Sequence, residues 1–294
     1  MAYKKATRKN LIEKLLPIIA SFTIVFLMGI IITLFVEGVP TFGVIDFFKF
    51  ITGKLWYPTS EPPQFGILSL IMASVGVTGL AIVIAVPLSL GSAIFISELC
   101  PPGLREVLKP VIELLASIPS VVYGFFGMIV LAPLVREWFN LPTGLTWFTA
   151  SVVLSIMVVP TVASLAEDAL GAVPQDLRRA SSALGATKWE TIVRVVLPGA
   201  SSGIATAVVL GLGRAIGETM TVLMVAGGAI LMPSSIFKPV RPMTSTIAAE
   251  MGEAPFGSLH YHALFAIALV LFGITLVLNI MAQRFSARKE NEKG

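Results

Sequence analysis

Two charged side chains stand in the stretch "GLGRAIGETM", Gly211 to Met220, inside a long apolar run. Arg214 and Glu218 are four residues apart, the separation that places two side chains on one face of a helix. A guanidinium is a permanent cation whose planar fork matches two oxygens of an oxyanion. A carboxylate beside it repels a fully ionised anion but accepts a hydrogen bond from one that keeps a proton. Near neutral pH phosphate keeps an O–H and sulfate does not, so the pair suits protonated phosphate. Two other readings use the same residues. One is a structural ion pair, a poor stabiliser because desolvation often exceeds the Coulomb gain. The other is a proton relay through Glu218.

The element that positions them is predicted as a single helix over Gly199–Gly228, about 45 Å long at 1.5 Å per residue, with Arg214 near its middle. A charge at the centre of a bilayer costs at least ~2.5–3.5 kcal/mol, so it faces protein or a cavity rather than lipid. Gly199, Gly203, Ala207, Gly211 and Ala215 form a ribbon of small residues along this helix, which lets a neighbouring helix approach closely. On a helical wheel Arg214 falls about 60° and Glu218 about 20° from Gly211, so both border that seam. Gly211, Gly213 and Gly217 follow no strand and miss the dinucleotide spacing. No phosphate-cradling Gly-x-x-x-x-Gly-Lys-Ser/Thr loop occurs either, so an ATP-driven process would need its ATPase on another chain.

The rest of the chain supports a membrane setting. It is 55% hydrophobic and 13% charged over 294 residues, with a mean hydropathy of +0.89. Soluble domains carry about a quarter charged residues. Six stretches have the roughly 20 apolar residues a spanning helix needs: Leu15–Glu37, Ile67–Ser97, Val111–Val135, Trp147–Leu170, Gly199–Gly228 and Tyr261–Gln283. The expected class is therefore all-α and polytopic, with Pro87, Pro119 and Pro160 kinking their helices. Lys and Arg number 15 on the side holding both termini and 5 on the other, which places both termini in the cytoplasm. The same asymmetry explains the basic charge through membrane lipid, with no nucleic acid. The basic amino terminus leads into an apolar run without a cleavage site, so the first helix is read as a retained anchor. Cys100 is the lone cysteine, and His260 and His262 are two apart, so neither a thiolate cluster nor a two-His metal site is expected. In the external segment Ile230–His260, "PMTSTIAAEMGEAP" is predicted to form a short helix N-capped by Thr244 or Ser245.

The longest cytoplasmic loop, 171–198, reads "GAVPQDLRRASSALGATKWETIVRVVLP". Pro174 precedes a helical run with Leu177, Ala180, Ala183 and Leu184 on one face. Gly185 ends it, and Lys188–Leu197 resumes with Trp189, Ile192, Val193 and Val196 together. By its physics alone this is either a helix lying in the lipid interface or one presented to a cytoplasmic groove. The loop resembles the hallmark of ABC importer permeases: Arg179-Ala180-Ser181, then Gly185, then Val195-Val196-Leu197-Pro198, with the spacing of a Glu-Ala-Ala start, a Gly and Ile-x-Leu-Pro. The resemblance implies docking onto an ATPase subunit through Arg179, Ala180, Gly185, Trp189 and Pro198. Arg179 replaces the family's acidic residue, which removes any ionic contact that Glu makes.

"LGLGRAIGETMTVLMVAG" and "ELLASIPSVVYGFFG" resemble blocks of the membrane subunits of bacterial phosphate-specific (Pst) importers, more the C-type than the A-type. That resemblance implies a six-helix, type I importer permease (MetI-like) fold over residues 67–283. Residues 1–66 hold the anchor helix and an external segment, and 284–294 a basic tail. It implies a substrate pathway through Arg214, Glu218 and Thr219, with Pro119 and Tyr123 at the pathway or gate, although bundle packing suits Tyr123 as well. It further implies alternating access in a heterodimer with the A-type permease, joined by two ATPase subunits that bind ATP and Mg and by an extracytoplasmic phosphate-binding protein. The chain itself would hold no cofactor and catalyse nothing. The alternative is an ion-coupled anion transporter or channel.

Overall fold

The computed structural model describes residues 2–291. The first apolar run becomes α1 (Ala2–Gly38). Two short helices follow, α2 (Thr41–Val44) and α3 (Phe47–Thr52); the Asp46 carboxylate caps α3 by accepting from Lys49 N at 3.0 Å. A small antiparallel hairpin, β1 (Trp56–Tyr57) and β2 (Gln64–Phe65), pairs Trp56 with Phe65. Then come α4 (Leu68–Ile94), α5 (Pro102–Ser117), α6 (Ser120–Phe126), α7 (Ala132–Trp138) and α8 (Trp147–Gly171). The loop after α8 holds α9 (Gln175–Ala183), α10 (Lys188–Thr191) and α11 (Leu197–Gly199). Last are α12 (Ser201–Ile216), α13 (Met220–Val225), α14 (Met243–Glu250) and α15 (Leu259–Asn291).

Three π-helical turns, Phe95–Leu99, Gly127–Leu131 and Ile192–Val196, each end two residues before a proline: Pro101, Pro133 and Pro198. A proline ring clashes with the carbonyl four residues back and offers that carbonyl no N–H. Those carbonyls belong to Ser97, Ile129 and Arg194, all inside the widened turns, where one extra residue moves them aside. Pro87 and Pro160, by contrast, sit within α4 and α8.

α8 is the central strut: Ala150, Val153, Leu154, Met157, Val158, Val162, Ala166 and Leu170 all enter the main core with Ala73, Val77 and Ala81 of α4. The small-residue ribbon of α12 lies against it. A Cβ on Gly203 would sit 2.5 Å from Ala169 Cβ, and one on Gly211 would sit 2.3 Å from Val162 Cγ2. A second core at the hairpin end joins Phe50, Trp56, Phe65, Leu70, Met243 and Leu264. α1 packs along α15, where Gly38 comes close to Leu269, and many of its apolar residues, among them Phe22, Val25, Phe26 and Ile30, are exposed, as expected of a helix bathed in lipid. Among the described residues five helices are long and apolar enough to cross a membrane, or six if the bent pair Lys188–Gly199 and Ser201–Ile216 is counted as one span.

Two expected helices are broken. The run Val111–Val135 is not one kinked helix: α5 ends at Ser117, Ile118 and Pro119 are extended, and the span is Ser120–Trp138. The residue before a proline is pushed out of the helical region, and here Ile118 takes ψ 132°. Nor is Gly199–Gly228 continuous. It bends by 68° at Ala200 and breaks again between Ile216 and Met220.

Candidate functional site: two facing helix breaks

The last carbonyls of a helix have no partner within it. At the end of α5, one of its own side chains and others from facing elements fill that role. Ser117 Oγ donates to Leu114 O at 2.7 Å, and Tyr123 Oη donates to Leu115 O at 2.8 Å. Arg214, in the last turn of α12, donates from Nη1 and Nη2 to Ala116 O, both at 3.3 Å, and from Nη1 to Thr161 Oγ1 on α8 at 2.8 Å. Thr221 Oγ1 donates to Ser120 O at 2.9 Å. The break at Pro119 is thus braced by Tyr123 from its own side and by Arg214 and Thr221 from the break in the fifth span. Tyr123 is buried; Pro119 is exposed and takes no part in the brace.

Arg214 and Glu218 do not form the expected ion pair. Pairing of residues four apart needs an unbroken helix between them, and α12 stops at Ile216. The Glu218 carboxylate instead accepts from Thr221 N at 3.3 Å, at the start of α13, where a negative charge suits the helix end. Its main chain is held on both sides: Glu218 N donates to Ala215 O at 3.3 Å, and Glu218 O accepts from Thr244 Oγ1 at 2.9 Å. Thr219 Oγ1 turns back to Gly217 O at 3.2 Å. Glu218, Ser74, Thr78 and Thr244 line a cavity of about 10 Å³, room for a single water and not for an oxyanion. A larger cavity of about 470 Å³ lies elsewhere, between α2–α3 and α15, and is lined by Phe42, Phe47, Ile51 and aliphatic residues, which leaves it without anion chemistry.

The loop after α8 is built from local signals. Thr187 and Glu190 form a capping box at α10, with Glu190 N donating to Thr187 Oγ1 at 3.2 Å and Thr187 N donating to Glu190 Oε2 at 2.9 Å. Gly185 takes φ +85°, a conformation that favours glycine. Leu184 and Trp189 are 89% and 61% exposed, and Leu177 and Val193 are exposed too, so the loop offers apolar side chains outward. Arg179 and Ala180 are exposed as well; Arg179 reaches only Asp176, at 3.7 Å. Pro198 follows the third π turn. The face expected to carry Trp189, Ile192, Val193 and Val196 together is divided: Ile192 and Val196 are buried, while Trp189 and Val193 point out, because the π turn shifts the helical period.

Sequence reasoning passed over the residue that holds this loop in place. Arg178 donates to Val173 O, to Leu170 O at 2.8 Å and to Glu98 Oε1 at 2.7 Å, tying α9 to the ends of α8 and α4. It also passed over the buried Glu167, paired with Arg105 and, at 2.8 Å, with Lys109, which fastens α5 to α8. Both acidic partners sit at span ends, which was the available signal. Thr161 and Ser74 read as ordinary polar residues in apolar helices and Thr244 as a helix cap, and only the fold brings them to the breaks. The expected cap at Thr244 or Ser245 is corrected: Pro242 precedes the helix, and both residues lie within α14.

Apolar helices braced at their breaks, with a protruding helical loop, fit a membrane-spanning transporter subunit. The family described as "Binding-protein-dependent transport system inner membrane component" matches residues 99–291, and the chain belongs to it. The chain is 38% identical over 278 residues to the "Probable ABC transporter permease protein YqgH" of Bacillus subtilis, covering 94% of this chain and 88% of that one. It is 37% identical to the "Phosphate transport system permease protein PstC" of Mesorhizobium japonicum, covering 94% and 89%, and 34% identical to that of Haemophilus influenzae, covering 97% and 95%. The fold is that of ABC importer permeases. It matches a chain of a bacterial alginate ABC transporter at TM-score 0.66 and 20% identity, covering 97% of both chains. It also matches one of the MetNI methionine ABC transporter at 0.62 and 18%, covering 79% of this chain and 99% of that one.

Proposed function

We propose that the chain is the translocation-pathway subunit of an ATP-driven inorganic phosphate importer, with Arg214, Glu218 and Thr219 on the route. The observation that carries the reading is the bonding of Arg214. Its guanidinium is held by one hydroxyl at 2.8 Å and by one carbonyl at 3.3 Å, all neutral acceptors. An anionic phosphate adds full opposite charge and can take both donors of the fork at once, which neither neutral acceptor does as strongly, so an arriving oxyanion displaces Ala116 O and Thr161 Oγ1. Releasing Ala116 O loosens the α5–α6 break, which links substrate contact to helix movement. Glu218, one break-residue away, accepts the phosphate O–H.

The partners follow from the same reading. Both termini and the loop 171–198 are cytoplasmic, and the hairpin end is extracytoplasmic. Two ATPase subunits, which bind ATP and Mg, seat Leu184 and Trp189; an A-type permease completes a heterodimer; an extracytoplasmic binding protein delivers phosphate. The transport domain is 67–283, with α1 as an added anchor in lipid.

The test is uptake of radiolabelled phosphate by the four-component complex in liposomes. Uptake is expected to stop without ATP while a proton gradient remains, and Arg214→Gln is expected to lower it by about tenfold or more. Uptake sustained by the gradient alone would instead establish the ion-coupled reading.

A further inference from the structure

α14 is a short helix held at both ends by other elements. At its start Met243 N, which no local cap serves, donates to Ser74 Oγ of α4 at 2.8 Å. The hydroxyls of its first turn differ in what they reach. Thr246 Oγ1 turns back to Pro242 O at 3.1 Å, Ser245 Oγ has no partner, and Thr244 Oγ1 crosses to Glu218 O at 2.9 Å. At its other end the Glu250 carboxylate is fully used. Oε1 accepts from Arg241 at 2.7 Å, and Oε2 meets Trp56 Nε1 at 2.8 Å and His260 Nε2 at 2.9 Å. Those three partners come from the hairpin, the segment before α14 and the start of α15, so Glu250 gathers the extracytoplasmic surface into one knot. Eight helical residues span about 12 Å. α14 is therefore a rigid strut from that knot to the turn bearing Glu218.

We propose that Thr244 is a positioning residue for Glu218, and that α14, anchored at Glu250, sets the geometry of the Glu218 turn from the extracytoplasmic face. Gly217 to Thr219 lie between α12 and α13 and are held within their own segment by Glu218 N donating to Ala215 O at 3.3 Å and Leu223 N donating to Thr219 O at 2.9 Å, whereas Glu218 O is held from another element, by Thr244. The inference rests on the phosphate-import reading for its transport consequence, but its structural content does not.

Two measurements test it. In the reconstituted complex, Thr244→Val is expected to lower the phosphate moved per ATP hydrolysed by about tenfold, with half-saturation by loaded binding protein unchanged, and Thr244→Ser is expected to restore it. A Val variant that transports normally overturns the proposal, and so does a Ser variant as poor as Val, since the hydroxyl would then not suffice to position the turn. The second measurement needs no transport. Gly217 is exposed, and a Cβ there meets nothing nearer than 3.6 Å, so Gly217→Cys in a Cys100→Ser background reports on the turn. Its maleimide labelling rate is expected to rise about fivefold with Thr244→Val or Glu250→Ala and to stay unchanged with Thr244→Ser. An unchanged rate with both Val and Ala overturns the strut. If the unaltered complex moves no phosphate while labelling responds as stated, the import reading fails and the positioning of the turn stands.

Discussion

Arg214 Nη1 donates to Thr161 Oγ1 across 2.8 Å, tying the last turn of α12 to the middle of α8. The bond replaces the Arg214–Glu218 pair that a continuous helix would have made, and it uses a neutral partner where an ionic one was expected. A neutral partner is easier to give up. Removing it with Thr161→Val leaves the guanidinium only the 3.3 Å contacts to Ala116 O, and is expected to cost about 1 kcal/mol of stability. Thermal unfolding of the purified complex checks this. In a cycle with Arg214→Gln the two effects should fall short of additivity by roughly the same amount.

Arg214→Lys keeps the charge and loses the fork. An ammonium cannot bridge Ala116 O and Thr161 Oγ1 while offering two parallel donors to an oxyanion. Phosphate uptake is expected to fall by about tenfold, nearly as far as with Arg214→Gln, because geometry and not charge is what the site uses. A Lys variant close to the unaltered chain in initial uptake rate would refute this.

Arg178 and Arg179 are neighbours with opposite expectations. Arg178 and Glu98 are 14% and 10% exposed, and Arg178 also satisfies two carbonyls at the end of α8. Arg178→Ala strands a buried carboxylate and is expected to cost about 3–5 kcal/mol, with loss of the ATPase subunits from the affinity-purified complex. Arg179 is 81% exposed. Its replacement by Ala should stay within about 0.5 kcal/mol. Trp189→Ala should resemble Arg179→Ala in the stability of the isolated chain and Arg178→Ala in ATPase retention, since Trp189 is 61% exposed and offered outward.

Much of this was legible in the sequence, and the exceptions share one cause. The runs that became α1, α4, α8 and α15 were plain from apolar length alone. The ribbon at Gly203 and Gly211 read correctly because close approach needs only small residues at a fixed period. The Gly185 turn and the Thr187–Glu190 box are local chemistry. The breaks were harder. Gly217 three residues after Arg214 is a helix stop signal, yet inside so apolar a run the helix was read straight through it to Gly228. What makes a break affordable in a membrane is distant: Ala116 O needs Arg214 from 98 residues away, and Glu218 O needs Thr244 from 26 away. The candidate residues were picked out by type, and their geometry comes from tertiary bonds that no local window contains.

Lys109 allows the fastening of α5 to be read by pH. It lies 2.6 Å from Asp168 and 2.8 Å from Glu167, and the Glu167 side chain is 3% exposed. The hydrogen bonds to Asp168, then to Glu167, hold its ammonium above the ordinary 10.5, against a smaller opposing effect of burial. A raised folded value means the pairing contributes in full below the unfolded value and is lost as pH rises through the folded one. Lys109→Met should therefore lower the melting temperature by an amount that is constant up to about pH 10 and shrinks only at higher pH, as the native chain loses the same charge. Other lysines and tyrosines titrate in both proteins and cancel in the difference. A gap that closed between pH 5 and pH 8 would mean that a carboxylate or a histidine, not Lys109, governs the contact.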